Sequence, residues 1–229
     1  MSDRNMEVVS GARAPVLASA LLARIQELNR DYVELMLAER AMPSPGAAMD
    51  TLSPRLLDVL ATLDEPARNS LSRCPFTLFS LAFDDVRFWQ TVLCDPTEMT
   101  NGSVEERYGA LSTAPLQAAF GEIALFTAVH TAQANRIAAR VLFGLPDGVA
   151  TLLLDAALWR VRRVAIDYPG MIVPRWPANP AFWPDLIRFA AEGDALRLEM
   201  AQLLGSQLIA AEINGAAPRS RRRFAARAR

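Results

Sequence analysis

One pattern occurs twice in this chain, and it limits the folds open to it. Two short stretches with helical spacing lead to Cys74-Pro75, and Phe88 follows Pro75 by thirteen residues, with Trp89 beside it. Two more such stretches lead to Tyr168-Pro169, and Phe182 follows Pro169 by the same thirteen, with Trp183 beside it. An apolar residue stands four places past each Trp, at Leu93 and Ile187. A long helical pattern precedes each half and ends near Ala38-Glu39-Arg40 or Ala139-Arg140. Self-similarity of this kind predicts two related halves forming a pseudo-dimer within one chain. Large aromatics on helices are usually interior, so Trp89 and Trp183 are expected in each half's core or between the halves.

The elements follow from apolar periodicity. A first helix is predicted over 14–41, where Leu21, Leu28, Leu35 and Met42 recur every seven residues and Ile25 and Tyr32 fill the stripe. That stripe suits a core-facing helix, and its coiled-coil spacing also suits a dimer seam. Ser53-Pro54 and Asp64-Glu65-Pro66 signal the starts of two short helices, a helix-turn-helix-like hairpin. Phe79, Leu81 and Phe83 alternate as a short half-buried strand would, and Asp84 is expected to cap the next helix. In the second half a helix is predicted over 115–143, its face traced by Phe120, Ile123, Thr127, His130, Ala134, Ile137 and Val141. A second hairpin spans 147–165, with Asp147 as its cap. A proline-rich stretch covers 169–180, and helices follow near 184–191 and 194–212. The last carries Leu196, Met200, Leu203, Gln207 and Leu208 on one side. The polar, glycine-punctuated segment 95–113 is the expected boundary. The chain reads as all-α: a first helical half over 14–95, a second over 113–212, at most one short strand in each, and a disordered arginine-rich tail over 213–229.

Charge separates body from tail. The chain has no lysine, and its 24 basic residues are all arginine, against 25 acids. Six of them, Arg219, Arg221, Arg222, Arg223, Arg227 and Arg229, fall in the last eleven residues, which contain no acid. Residues 1–218 therefore hold 18 arginines against 25 acids, a balance of −7. A flexible run of arginines can neutralise phosphates of a nucleic acid, attract an anionic membrane or acidic partner, or simply stay solvated. Arg160, Arg162 and Arg163, beside Trp159, are the candidate phosphate contacts on the body.

Several function classes are disfavoured. One His and two Cys are too few for the common zinc sites or a disulfide scaffold. The longest apolar stretch, 148–159, is broken by Asp155 and is too short for a bilayer span, and 1–15 has no apolar leader core. A cytoplasmic protein with reduced, packed Cys74 and Cys94 is expected. His130 has the pKa range of a general base. Positions 126, 127, 133 and 134 are Phe, Thr, Gln and Ala, so no carboxylate or nucleophile stands at helical reach, and a core or semi-buried His is expected. Cys74, between Arg73 and Pro75, is expected to be buried. Asp84-Asp85 and Glu105-Glu106 are neighbours in sequence and do not converge on one site. No phosphate loop, nucleophile elbow or zinc-protease motif occurs. No enzyme activity, cofactor, metal or small-molecule substrate is predicted.

The stretch from Leu28-Asn29-Arg30-Asp31-Tyr32 through Ala38-Glu39-Arg40 and on to Phe79-Ser80-Leu81-Ala82-Phe83-Asp84 resembles the flagellar transcriptional regulator subunit FlhD. The resemblance covers about residues 20–93. Phe79 stands where that family has a Cys, and this chain is about twice as long. The resemblance implies an all-helical, oligomeric protein that acts in transcription with a partner subunit. A regulator touching DNA or the transcription machinery through its hairpins and arginine tail is thus one expectation. The alternative is a cytoplasmic helical adaptor, or a secretion-associated component, with no nucleic-acid role. Either would have a protein partner or self-associate through helix 14–41. The first predicts a contiguous basic face on the folded body, the second an exposed apolar groove or patch.

Overall fold

The 3.6-residue spacing of Ile25, Leu28, Tyr32, Leu35 and Met36 gives α1 (Ser19–Ala41) one fully buried face, with Asn29 buried among them. A computed structural model of the chain describes residues 19–41, 52–94, 108 and 115–215. The stripe is used inside the chain: α1 packs on α2 (Pro54–Thr62), α3 (Glu65–Ser72) and α5 (Pro115–Ala134). Met42 and residues 14–18 lie outside the described residues, as do most of 95–114 and all of 216–229.

Caps and prolines set most of the remaining ends. Pro54 occupies the first turn of α2, and Ser53 receives its first bonds through the carbonyl rather than capping with its side chain. Asp64 accepts the Ala67 N–H at 2.8 Å and starts α3. After β1 (Phe79–Leu81), α4 (Val86–Cys94) is capped by Asp85, whose Oδ1 accepts the Phe88 N–H at 3.0 Å. The expected cap, Asp84, is one residue too early. The helix predicted over 115–143 is broken at Asn135. Extended backbone there and an Oδ1 bond to the Ala138 N–H at 3.0 Å end α5 and start α6 (Arg136–Phe143). Gly144, at φ 69°, then closes α6 in the left-handed region. Next come α7 (Asp147–Asp155), α8 (Leu158–Asp167), a 3₁₀ turn (Pro169–Met171), β2 (Ile172–Pro174), α9 (Phe182–Glu192) and α10 (Ala195–Ile213). Pro146, not Asp147, holds the cap position of α7. Asp194 caps α10 by accepting the Arg197 N–H at 3.1 Å.

The protein is mostly helical, with ten α-helices and one two-stranded antiparallel ladder among the described residues. The strands come from distant parts of the chain, Phe79 facing Pro174, Ser80 facing Val173 and Leu81 facing Ile172. Residues just past each strand, Ala82 and Trp176, both take φ of 51°, an uncommon conformation for a residue with a side chain. The packing around the ladder is reciprocal. Helix α4 of the first half lies on α7 and α8 of the second, and α9 of the second half lies on α2 and α3 of the first. Trp89 and Trp183 are buried in these contacts, and each satisfies its indole N–H on a backbone carbonyl, Ala82 at 3.1 Å and Arg175 at 2.7 Å. Each indole removes roughly 200 Å² from water, on the order of 5 kcal/mol before conformational entropy is counted. One continuous core of buried side chains runs through both halves.

The apolar stripes of two helices do not all face the core. On α5 the buried face is Phe120, Ala124, Leu125, Ala128 and Val129, while Ile123 and His130 are exposed, and so is Ile137 on α6. On α10 the core side is Leu198, Ala201, Gly205 and Ile209, and Leu196, Met200 and Leu203 stand outward at 61–70% exposure. The closest approach on α10 is at Gly205, where an added Cβ would overlap Phe76 Cζ and lie 2.9 Å from Phe182 Cε2, while Leu198 and Ile209 fill the inner face on either side. Cys94 is also exposed, at the end of α4, whereas Cys74 is buried as expected.

Candidate functional site

The arginines of α8 are engaged. Arg160 donates to the Leu93 carbonyl at 3.0 Å and lies 5.4 Å from the Trp159 ring centroid. Arg162 pairs with Glu122 of α5 at 3.0 Å, and Arg163 pairs with Asp167 one turn on at 2.9 Å. Two of the three candidate phosphate contacts are thus matched by a carboxylate. The third tethers α8 to the end of α4. Trp159 is 60% exposed one turn from Arg162. The tail candidates Arg219, Arg221, Arg222, Arg223, Arg227 and Arg229 lie outside the described residues.

The outward face of α5 forms the wall of a groove. It runs along the first turns of α1, where Leu21 and Arg24 face Ile123, Phe126, His130 and Ala134, and encloses about 850 Å³. Its surface is largely apolar. The rim hydroxyls are occupied locally, Thr127 donating to the Ile123 carbonyl and Thr131 to the Thr127 carbonyl, both at 2.7 Å. His130 stands on this rim rather than in the core, because α5 rotates its Ala124, Ala128 and Ala132 edge inward.

Two buried polar knots hold the scaffold. Asn29 spreads its amide over the loop between α3 and β1, donating to the Ser72 and Cys74 carbonyls at 3.3 Å and to Phe76 at 2.8 Å. Arg175 is 4% exposed; it donates to the Leu142 carbonyl at 3.2 Å and to Glu212 at 3.1 Å, and stacks 4.5 Å from the Trp176 centroid. Burial pushes its pKa down, and the Glu212 charge and hydrogen bond oppose that shift. The other Glu212 oxygen accepts the Trp176 indole N–H at 2.6 Å. Thr77 Oγ1 shares the Leu142 carbonyl at 3.0 Å, so one oxygen ties the ladder to the end of α6. Sequence reasoning did not find Arg175; the nearest signal was Arg-Trp inside a proline-rich stretch.

Burial pushes the Cys74 thiol far up, away from a reactive thiolate. Among the described residues no three His, Cys, Asp or Glu side chains converge on a metal position, and no single helix is long and apolar enough to cross a membrane. Compared with protein-family models, with curated proteins and with solved structures, the chain matches none.

Proposed function

We propose that the chain is a helical interaction protein that receives a protein partner on the apolar groove between α1 and α5. The observation that carries this reading is the groove itself. An apolar concavity walled by Ile123 and Phe126 is the surface a partner helix needs, and its rim hydroxyls are already satisfied. The α8 arginines, which a regulator reading would spend on phosphates, are largely paired with the protein's own acids.

The two halves are read as copies of one ancestral unit, packed as a swapped pair. Pro75 and Pro169, Ala82 and Trp176, Phe88 and Phe182, and Trp89 and Trp183 are each separated by the same 94 positions. Four features support this: the matched left-handed residues, the exchange of α4 and α9, the pairing of α1 with α5, and the antiparallel ladder. All are what a two-fold axis would generate. Such a chain carries its own dimer interface inside, which leaves the outward groove for a different partner.

A photo-crosslinking residue at Ile123, compared with one at exposed Arg55, tests the reading in cells that make the chain. Discrete adducts at 123 and none at 55 are expected. A parallel salt series with random duplex DNA separates the alternative: salt-sensitive binding by protein ending at Ala217, together with no adduct at 123, would favour a DNA-contacting regulator.

A further inference from the structure

Among the described residues of this acidic body most arginines have an acid. Arg24, Arg40, Arg68, Arg140, Arg162, Arg163, Arg175, Arg188 and Arg197 each pair with a carboxylate. Arg136 and Arg160 bond to a hydroxyl and a carbonyl instead. Among the described residues, the Arg30, Arg55, Arg73 and Arg87 side chains have neither kind of partner. Two of these four, Arg30 and Arg73, line one cleft between α1 and the end of α3.

The cleft encloses about 720 Å³, within the usual size range for a small ligand. Its shape follows from sequence: Ala20 and Ala23 leave the α1 face hollow, and Arg30 stands at the far end of that face. Gln26 fixes the opposite wall by donating to the Arg73 carbonyl at 3.2 Å. Arg30 lies one helical turn beyond Gln26 on the same side of α1, so this bond holds Arg73 next to the turn that carries Arg30. Arg24 also faces the cleft, balanced by Glu27 at 2.8 Å, and Asn69 adds an amide. The cleft lining thus carries three guanidinium groups against one carboxylate, Glu27, with the Asp31 carboxyl near enough to feel Arg24 and Arg30, in a body whose overall balance is the reverse.

We infer that this cleft binds a small polyanion, a molecule bearing two or more phosphoryl or carboxylate groups, gripped by Arg30 and Arg73. Planar guanidinium forks favour bidentate contacts to such oxyanions, and two forks lining one cleft suit a ligand with more than one of them. This inference is independent of the groove on α5.

The test uses the full chain and tripolyphosphate, with citrate in a second arm, followed by backbone-amide NMR. Saturable shifts at Arg30, Asn69 and Arg73 are expected, with affinity falling as salt rises. The double variant Arg30→Gln/Arg73→Gln should weaken binding about tenfold or more, while Arg55→Gln/Arg87→Gln, which removes the same charge elsewhere, should leave it within about twofold. All four side chains are on the surface, so both variants should keep the parent fold, and matched melting curves check this. Binding of tripolyphosphate alone assigns phosphoryl ligands, of citrate alone carboxylates, and of both oxyanions in general. Shifts confined to residues beyond 216, equal losses in the two double variants, or no binding of either anion would overturn the inference.

Discussion

Asn29 and Leu78 are joined by a buried hydrogen bond: Asn29 Oδ1 accepts the Leu78 N–H at 2.8 Å. The same amide donates to the Phe76 carbonyl at 2.8 Å, so one side chain on α1 supplies a donor and an acceptor to a backbone run whose other bonds go to the Leu142 carbonyl and the Arg175 N–H. That run leads directly into β1. The amide therefore sets where β1 begins and, through the ladder, where β2 is held.

Replacing Asn29 with Ala leaves a buried N–H and several carbonyls unpaired. A loss of about 3 kcal/mol is expected, since each unsatisfied buried group costs roughly 1–3 kcal/mol. Asn29→Asp should also destabilise, because a carboxylate keeps the acceptor but loses the donor. Urea unfolding of the two variants beside the parent measures both. A change in midpoint below the experimental error in both would show that water replaces the amide.

The helical elements were legible because their signals are local. Asp64 with Pro66, the seven-residue stripe of α1 and the proline after Tyr168 each act within a turn or two of where they stand. The pairing of Phe79–Leu81 with Ile172–Pro174 was not legible, since three-residue strands carry almost no pattern and their partner is far along the chain. Which face of α10 turns outward was not legible for a related reason. Leu196, Met200 and Leu203 have the periodicity of a core stripe, yet the face that packs inward is the one where Gly205 meets Phe76 and Phe182, flanked by Leu198 and Ile209. Periodicity shows that a helix is two-faced, and packing decides which face goes in. His130 fell on the wrong side of α5 by the same error. Of the candidate site, Arg160, Arg162 and Arg163 were found as a cluster, but their partners Leu93, Glu122 and Asp167 come mostly from other elements.

Gly205 gives a direct test of that packing. Gly205→Ala should destabilise the protein by about 2–3 kcal/mol, the usual cost of overpacking, although alanine is the better helix former by about 1 kcal/mol. Gly148, whose added Cβ meets nothing within 4 Å, is the control, and Gly148→Ala should be neutral or stabilising. Thermal melts of both variants decide it: equal midpoints would mean that α10 shifts away from Phe76 at no cost.

Glu39 predicts a pH dependence. One of its oxygens is buried without a hydrogen-bond partner, and burial raises its pKa above 4.5, with the Gln117 hydrogen bond opposing in part. A carboxyl raised in the folded state is favourable below its unfolded value, and that advantage is lost as pH rises through the folded value. Glu39→Gln should therefore be more stable than the parent at pH 7, and the difference should shrink towards zero below about pH 4.5. Paired melts from pH 4 to 8 measure it. A constant difference across the range would assign the effect to packing rather than charge.

The two thiols should differ sharply in reactivity. Cys94 is exposed at the end of α4, while Cys74 is buried, its thiol donating to the Leu71 carbonyl at 3.5 Å and its pKa raised by desolvation. Iodoacetamide at pH 8 should label one site in the native protein, Cys94, and both in denaturant. Native labelling of Cys74 at a comparable rate would show that the segment between α3 and β1 opens locally, contrary to the clamp that Asn29 forms.

The exchanged packing of α4 and α9 makes a prediction about how the chain folds. Helix α4 packs on α7 and α8, and α9 packs on α2 and α3 as well as on its neighbour α10, so each Phe-Trp pair is buried in part against the other half. A chain cut between Asn101 and Gly102 should then yield two fragments that lack cooperative structure alone. Each would expose an indole and an unpaired strand, and burial of each Trp is worth on the order of 5 kcal/mol. Mixed at equal concentration, the fragments should regain helical circular dichroism and a single melting transition whose midpoint rises with concentration, because folding has become an association. If one fragment melts cooperatively by itself, that half holds a sufficient core of its own, and the exchange of α4 and α9 is decoration on an independent domain. If the transition appears only in the mixture, the two halves are one folding unit.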